Sequence, residues 1–524
     1  MQRPELQRYR ELLILIFLAG VCYLFFFRGL SGIGFLGPDE PRYASVAREM
    51  YVSSDYVTPR LNGMPWFEKP ALLYWSQALS YAVFGIGEFG ARFPSALFAT
   101  ACIFLLYYVC RVLWGRATGI AASLILASSA GYFAFARAAS TDMLLSAAVT
   151  AALLCFLVGY NSEGRERRWW FLAFYAAIGI GVLSKGPVAI LLPALSLAGF
   201  LLFSGNRMQW KNWFPLYSIV ILVIAAPWYV AVIRANGFEF VQEFLINQNF
   251  QRYVSTVHGH EGPFYYYIPD LLMLTFPWSF MLIPGLRRTL DRNDRLLIWF
   301  AIVPIVFFSF SGSKLPGYIL PSVPPIVMLC ARAVSKPSTR PFRISVFIEA
   351  GAMLLIGIAF GFFGPALNIN PRINGWIIVA VTFVVAAALV AIGLWLKPPV
   401  FTAFNLVIMA TAVILGTSFV LPRFETTDTM RPWQTALQEF VSDDEMVYMY
   451  EPSRWMEYGL QYYRSSKAAG VFSPEELKSV LGTTPKAFFV SDDKGLTDLG
   501  EIQGVEVRIV VTIGDQNAFW VWQN

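Results

Sequence analysis

The chain is 524 residues long, 56% hydrophobic and 14% charged, with a net charge of +6. Soluble domains carry about 25% charged residues, so this deficit excludes an ordinary water-soluble fold and points to a bilayer protein. The positive balance is not a nucleic-acid signature, because the bases fall in short loops between apolar runs.

Runs of about 20 apolar residues, each able to cross the hydrocarbon core, recur over the first four-fifths of the chain. They predict thirteen spans, over 12–27, 91–110, 117–136, 143–160, 169–184, 187–203, 213–233, 269–285, 296–311, 316–333, 345–363, 375–396 and 400–421. The first run follows Arg3, Arg8 and Arg10 as a secretion signal would. It lacks a small-x-small cleavage site and continues into Arg28, so it reads as a retained anchor. With the N-terminus in the cytoplasm, the short cytoplasmic segments hold nineteen Lys and Arg. The longer opposite connections, without the tail, hold eleven. That is the positive-inside asymmetry. Cys22, Cys102, Cys110, Cys155 and Cys330 all lie in apolar spans without metal-binding spacing, and read as core residues.

Three external pieces are long. In the first, 28–90, residues 41–53 and 70–86 read as helices, the second rich in Tyr and Trp and lying on the membrane surface. The second piece, 235–268, contains both histidines. The third is the tail, 422–524. EMVYMY (445–450), AFFV (487–490), VEVRIVV (505–511) and FWVW (519–522) read as strands, and 453–464 and 474–481 as helices. The predicted fold class is thus an α-helical polytopic membrane protein, a membrane part over 1–421 followed by a small external α/β domain over 422–524. No repeat or P-loop is present, which argues against ATP-driven transport.

Unusual polar motifs in apolar surroundings all fall on the external face. They are GPDEPRY (37–43), FEKP (67–70), RAASTDM (137–143), SKGP (184–187), NQNFQRYVSTVHGHEGPFYYY (247–267) and SGSKLPGY (311–318). Acids at membrane level are costly and mark functional sites. Here they are Asp39, Glu40, Glu68 and Asp142, with Lys69, Arg137, Lys185, Arg252 and Lys314 as bases. Together they suit a site in which Lys and Arg hold a phosphate while an acid acts on a second substrate. His258 and His260 stand beside Glu261, and with a distant acid such as Glu68 they have the donor types of a zinc site. Loop histidines that hold no metal are the commoner case.

GPDEPRYA, FEKPALLYW, RxxSTDM, LSKGP, NFQRY…GPFYYYIP and KLPGYILP, in this order over most of residues 30–330, resemble the aminoarabinose–lipid A transferases. These are ArnT-like members of the protein-O-mannosyltransferase-like GT-C glycosyltransferases. The resemblance implies an enzyme of the bacterial inner membrane, with its active site and C-terminal domain in the periplasm. Such an enzyme takes a sugar from a polyprenyl-phosphate donor and passes it to lipid A or another periplasmic acceptor. It also implies roles by position: Asp39 catalytic, with Glu40 as companion and Asp142 as a further candidate. Lys69 and Arg252 fall to the donor phosphate, Tyr318 and Lys314 to the donor pocket. Glu68, His258 and His260 fall to a divalent-metal region, zinc by its ligands. A transferase acting on protein or glycan hydroxyls stays open. So does a lipid-linked sugar flippase, although that would place charges in mid-span and show repeat symmetry.

Overall fold

A computed structural model describes residues 4–203, 214–251, 253, 262–335, 340–363, 375–392 and 398–523. The first membrane helix, α1 (Pro4–Cys22), continues through a wider turn at Tyr23–Phe27. Two short helices follow, α2 (Asp39–Ser53) and α3 (Leu72–Phe84), separated by the small hairpin β1 (Arg60–Leu61) and β2 (Met64–Pro65). At 13 residues α3 is about 20 Å long, too short to cross a core of about 30 Å. The bundle continues with α4 (Glu88–Trp114), α5 (Arg116–Ser128), α6 (Ala130–Ala136), α7 (Thr141–Asn161), α8 (Gly164–Lys185), α9 (Val188–Phe203) and α10 (Ile219–Asn236).

A helix stands at each of the thirteen expected spans. Seven are long and apolar enough to cross a membrane, and nine if each bent pair counts as one span, among the described residues. The bent pairs are α5 with α6, at 67°, and Tyr267–Thr275 with Trp278–Arg287, at 101°. Of the rest, α8 and the helix Arg292–Ser309 begin in charged turns, and α9 has only 16 residues. The chain is therefore an integral membrane protein.

The C-terminal piece forms a five-stranded mixed sheet, from β3 (Val447–Tyr450), β4 (Ala468–Val471), β5 (Lys486–Asp492), β6 (Val505–Ile513) and β7 (Gln516–Gln523), in the order β4-β3-β5-β7-β6. β3 runs parallel to both its neighbours, while β7 is antiparallel to β5 and β6. One face closes on its own helices, with Leu477, Leu481 and Leu499 buried under Phe489 and Phe519. The other face does not close on itself. Met430, Trp433, Leu460 and Phe488 share one buried cluster with Phe35, Tyr43, Val46 and Tyr74 of the 28–90 segment. The α/β piece and the 28–90 segment thus bury their apolar surfaces against each other.

Candidate active site

α7 and α8 form an antiparallel hairpin, which brings the start of one beside the end of the other. Ser140 caps α7 by accepting the Asp142 N–H at 3.1 Å, so Asp142 sits in the first helical turn, where the helix dipole favours an acid. Lys185 is the last residue of α8, where the dipole favours a base, and Gly186 turns the chain away at φ +80°. The two side chains form a largely buried ion pair. The Lys185 ammonium also lies 4.6 Å from the centroid of the Tyr318 ring, and Tyr318 packs on Phe308. Gly317 is required at this point: a Cβ there would lie 2.6 Å from the Asp142 carboxyl carbon.

Lys69 completes the group. It is buried, donates to the Glu68 carbonyl at 3.2 Å, and acts electrostatically on Asp142. Lys69, Lys185, Glu68 and Tyr318 line a cavity of about 460 Å³ whose remaining wall includes Val188, Leu191, Phe244, Leu245 and Phe307. Such a cavity, cationic at one end and apolar along its length, fits a phosphate carried on a hydrocarbon chain. Beside it opens a notch of about 300 Å³ lined by Glu68, Glu239 and Glu243.

Asp39 and Glu40 open α2, with Pro41 tolerated in the first turn because its missing N–H has no helical partner there. The two acids point to different surroundings. Arg42 donates to Asp39 Oδ1 at 2.5 Å and forms an ion pair with Glu68 Oε2 at 3.1 Å, so a buried guanidinium bridges them. Around that guanidinium stand the rings of Tyr43, Trp66 and Tyr458, the last from the C-terminal piece. The Asp39 side chain remains 53% exposed, leaving its second oxygen open.

Glu40 is buried. Arg92 donates Nε–H to Oε1 at 2.9 Å and an Nη2–H to Oε2 at 2.7 Å, and the Leu36 and Ala139 N–H groups donate at 2.9 and 2.8 Å. Burial alone would raise this carboxyl. The Arg92 charge and these bonds outweigh burial and hold it below the usual carboxylate range. With both oxygens committed, Glu40 has none to offer a substrate. The expectation of a catalytic companion to Asp39 gives way to a structural anchor. Glu40 and Arg92 lie at the edge of a second cavity of about 560 Å³, lined mainly by Leu30, Leu36, Phe383, Met409 and Val413, with Arg137 nearby.

Lys314 also departs from expectation. It is buried, with its ammonium on the Ser311 carbonyl at 2.8 Å, and among the described residues it does not line the cavity of Lys69 and Lys185. Arg252, His258 and His260 lie outside the described residues. Glu68, the described member of the suggested zinc set, is paired with Arg42 and fits a metal ligand poorly. Sequence reasoning missed Arg92 and named Lys185 only within the set of bases suited to a phosphate. An arginine just inside an apolar span was the available signal for the first.

Comparison with known proteins gives consistent matches. Residues 68–230 match the family described as dolichyl-phosphate-mannose-protein mannosyltransferase. The undecaprenyl phosphate-alpha-4-amino-4-deoxy-L-arabinose arabinosyl transferase of Edwardsiella ictaluri is 27% identical over 85% of this chain and 87% of its own. The protein of the same name from Photorhabdus laumondii is 32% identical over 56% of this chain and 54% of its own. Among solved structures, ArnT from Cupriavidus metallidurans bound to undecaprenyl phosphate has a TM-score of 0.81 at 26% identity, covering 96% of this chain and 97% of that one. The oligosaccharyltransferase AglB from Archaeoglobus fulgidus shares the fold alone, with a TM-score of 0.53 at 13% identity, over 93% of this chain and 70% of that one.

Proposed function

We propose, for a chain that belongs to the ArnT-like family of GT-C membrane glycosyltransferases, that it transfers 4-amino-4-deoxy-L-arabinose from undecaprenyl phosphate to a phosphate of lipid A. The observation that carries this reading is the single cavity in which Lys69, Lys185 and Tyr318 stand at the head of an apolar channel. The relatives named for this transfer, and the related structure holding undecaprenyl phosphate, supply the donor. The sugar is an amine, and Glu239 and Glu243 in the notch beside the cavity are chemically suited to an ammonium group.

The reaction is a direct displacement with inversion. An acceptor phosphate oxygen forms its bond to the anomeric carbon as the bond to the donor phosphate breaks. Lys69 and Lys185 stabilise the charge that grows on the departing phosphate, joined by Arg252. Asp142 is a positioning residue that fixes Lys185 through their ion pair. Asp39, held on one oxygen by Arg42, uses the other to orient the acceptor or the sugar amine. A lipid A phosphate is already ionised at neutral pH, so the step needs no general base. The apolar cavity behind Glu40 takes acyl chains of the acceptor, and holding two lipid substrates together removes much of the encounter entropy. No step runs through a metal. In this reading the chain lies in the bacterial inner membrane with its N-terminus cytoplasmic. It divides into a membrane part over 1–421 and a periplasmic domain over 422–524, with the site on the periplasmic face.

The test is expression in a Gram-negative strain that lacks its own aminoarabinose transferase but makes the donor, followed by mass spectrometry of lipid A. A 4-aminopentose increment is expected with the native chain and none with Asp39→Asn at equal membrane levels. An increment that survives Asp39→Asn removes Asp39 from the mechanism. No increment from native protein present in the membrane removes lipid A as acceptor.

A further inference from the structure

Far from the reacting face, a cavity of about 600 Å³ is lined by Gly164, Arg165, Arg168, Trp169, Leu172 and Tyr217. Positions 165, 168, 169 and 172 are spaced as one face of a helix, so α8 presents two arginines, a tryptophan and a leucine to the same space. The opposing wall is Tyr217, in the 3₁₀ turn Pro215–Ser218 that leads into α10. Phe214 stacks on Tyr217 with ring centroids 5.3 Å apart, and the Arg168 guanidinium lies 5.9 Å from the Phe214 ring. The pocket is therefore built from two elements rather than from one exposed helix.

Its position in the membrane follows from α8. That helix has 22 residues and is about 33 Å long. It carries Lys185 of the donor cavity at its other end, so this pocket opens at the opposite membrane surface. Arg165 and Arg168 are exposed, and neither has an acidic partner among the described residues. The acids on the same turn do not offset them: Glu163 and Glu166 line no part of the cavity, and Glu166 accepts the Trp170 indole N–H. Along α8 the lining changes from charged at Arg165 and Arg168 to apolar at Leu172, about one turn deeper into the bilayer. Trp169 is 58% exposed and Leu216, beside Tyr217, 86% exposed. Bases at the rim, aromatic rings at the interface and aliphatic surface below them are the order of groups in a phospholipid.

We propose that this pocket is a binding site for an anionic phospholipid of the membrane. Arg165 and Arg168 take the phosphodiester, and the acyl chains run along Leu172 and Trp169. The bound lipid bridges α8 to the turn that begins α10. Its source is the bilayer rather than dissolved phosphate, because half of the pocket wall is apolar and useful only to a chain.

Native mass spectrometry of the full chain in mild detergent tests this, with phosphatidylglycerol, cardiolipin or phosphatidylcholine added singly. One anionic lipid should be retained, and phosphatidylcholine should not. Each basic residue near an anionic lipid is worth about fivefold, so Arg165→Gln/Arg168→Gln should weaken retention about 30-fold. Excess inorganic phosphate should leave the lipid in place. Equal retention of phosphatidylcholine, unchanged retention by the double variant, or displacement by inorganic phosphate would each overturn the proposal. If the double variant does not fold, the headgroup preference of the native chain and the phosphate competition still decide.

Discussion

Replacing Arg92 by Lys keeps a positive charge beside Glu40 and removes the planar fork. The guanidinium uses all its N–H groups: two on Glu40, and the others on the carbonyls of Leu30, Ile33 and Gly34 at 2.7 to 2.9 Å. A lysine ammonium has three N–H bonds, so at least two of these acceptors lose their partner. At about 1–3 kcal/mol for each buried orphan, the loss is about 2–6 kcal/mol. Arg92→Met is harsher, because it leaves the Glu40 carboxylate buried without a counter-charge, a loss of about 3–5 kcal/mol before the carbonyls are considered. Glu40→Gln/Arg92→Met should recover part of that loss, since no lone charge remains.

All five cysteines are buried free thiols, so a thiol-reactive dye reports unfolding in detergent. Arg92→Lys should lower both the unfolding temperature and turnover, because the Leu30–Gly34 carbonyls belong to the strap leading into Asp39. The pH dependence has a definite sign. The Glu40 carboxyl is held below its ordinary value against the pull of burial. Its stabilisation is therefore complete above the unfolded value of about 4.3, and is lost as pH falls through the lower folded value. Glu40→Gln should flatten that acid limb. An Arg92→Lys protein that unfolds and turns over like the native chain would refute the claim that this fork holds the strap.

Lys185→Met should reduce turnover by about 10²–10³-fold, the scale of losing one preorganised charge at a developing anion, and weaken undecaprenyl phosphate binding in a lipid-retention assay. Gly317→Ala puts a Cβ 2.6 Å from the Asp142 carboxyl carbon, so turnover should collapse while Gly351→Ala, which meets nothing within 4 Å, serves as a neutral packing control. Tyr463→Phe deletes a hydroxyl that accepts the Phe35 N–H at 3.1 Å and donates to Glu88 at 2.7 Å. It should destabilise by about 1–3 kcal/mol in the same dye assay.

The parts of the fold readable in the sequence were those set by local pattern. Apolar runs placed the membrane helices, and short runs rich in aromatic and β-branched residues placed β3, β5, β6 and β7. β4 was missed because Ala-Ala-Gly-Val has little strand preference and pairs only at the sheet edge, against β3. The polar residues that the structure gathers around one cavity were also legible, since Lys69, Asp142 and Tyr318 are polar groups in apolar surroundings. Their division of labour was not. Asp39 and Glu40 are adjacent in sequence, yet successive helical positions differ by about 100° in direction. One meets Arg42 and solvent, while the other meets Arg92 and buried backbone. Lys314 reads like Lys69 in sequence, and both ammonium groups donate to a backbone carbonyl, of Ser311 and Glu68 respectively; of the two, Lys69 lines the cavity with Lys185 and Tyr318.

The same limit explains why the C-terminal piece had no visible purpose in the sequence. The strap before Asp39 is held from beneath by Arg92 and from above by that piece. Glu425 accepts the Gly34 N–H at 3.0 Å, Arg431 donates to the Ser31 carbonyl at 2.9 Å, and Tyr463 takes the Phe35 N–H. The fit leaves no slack: a Cβ on Gly34 would lie 2.7 Å from Thr429 Oγ1 and 2.9 Å from Arg431 Cβ. Tyr458 adds its ring to the guanidinium that holds Asp39 and Glu68. Every one of these contacts joins residues hundreds of positions apart, so no local pattern could announce them. The α/β domain is thereby part of what sets the Asp39 carboxylate in place. Loosening it should reduce catalysis before it removes the membrane fold, because the bundle has its own buried cluster and the strap does not.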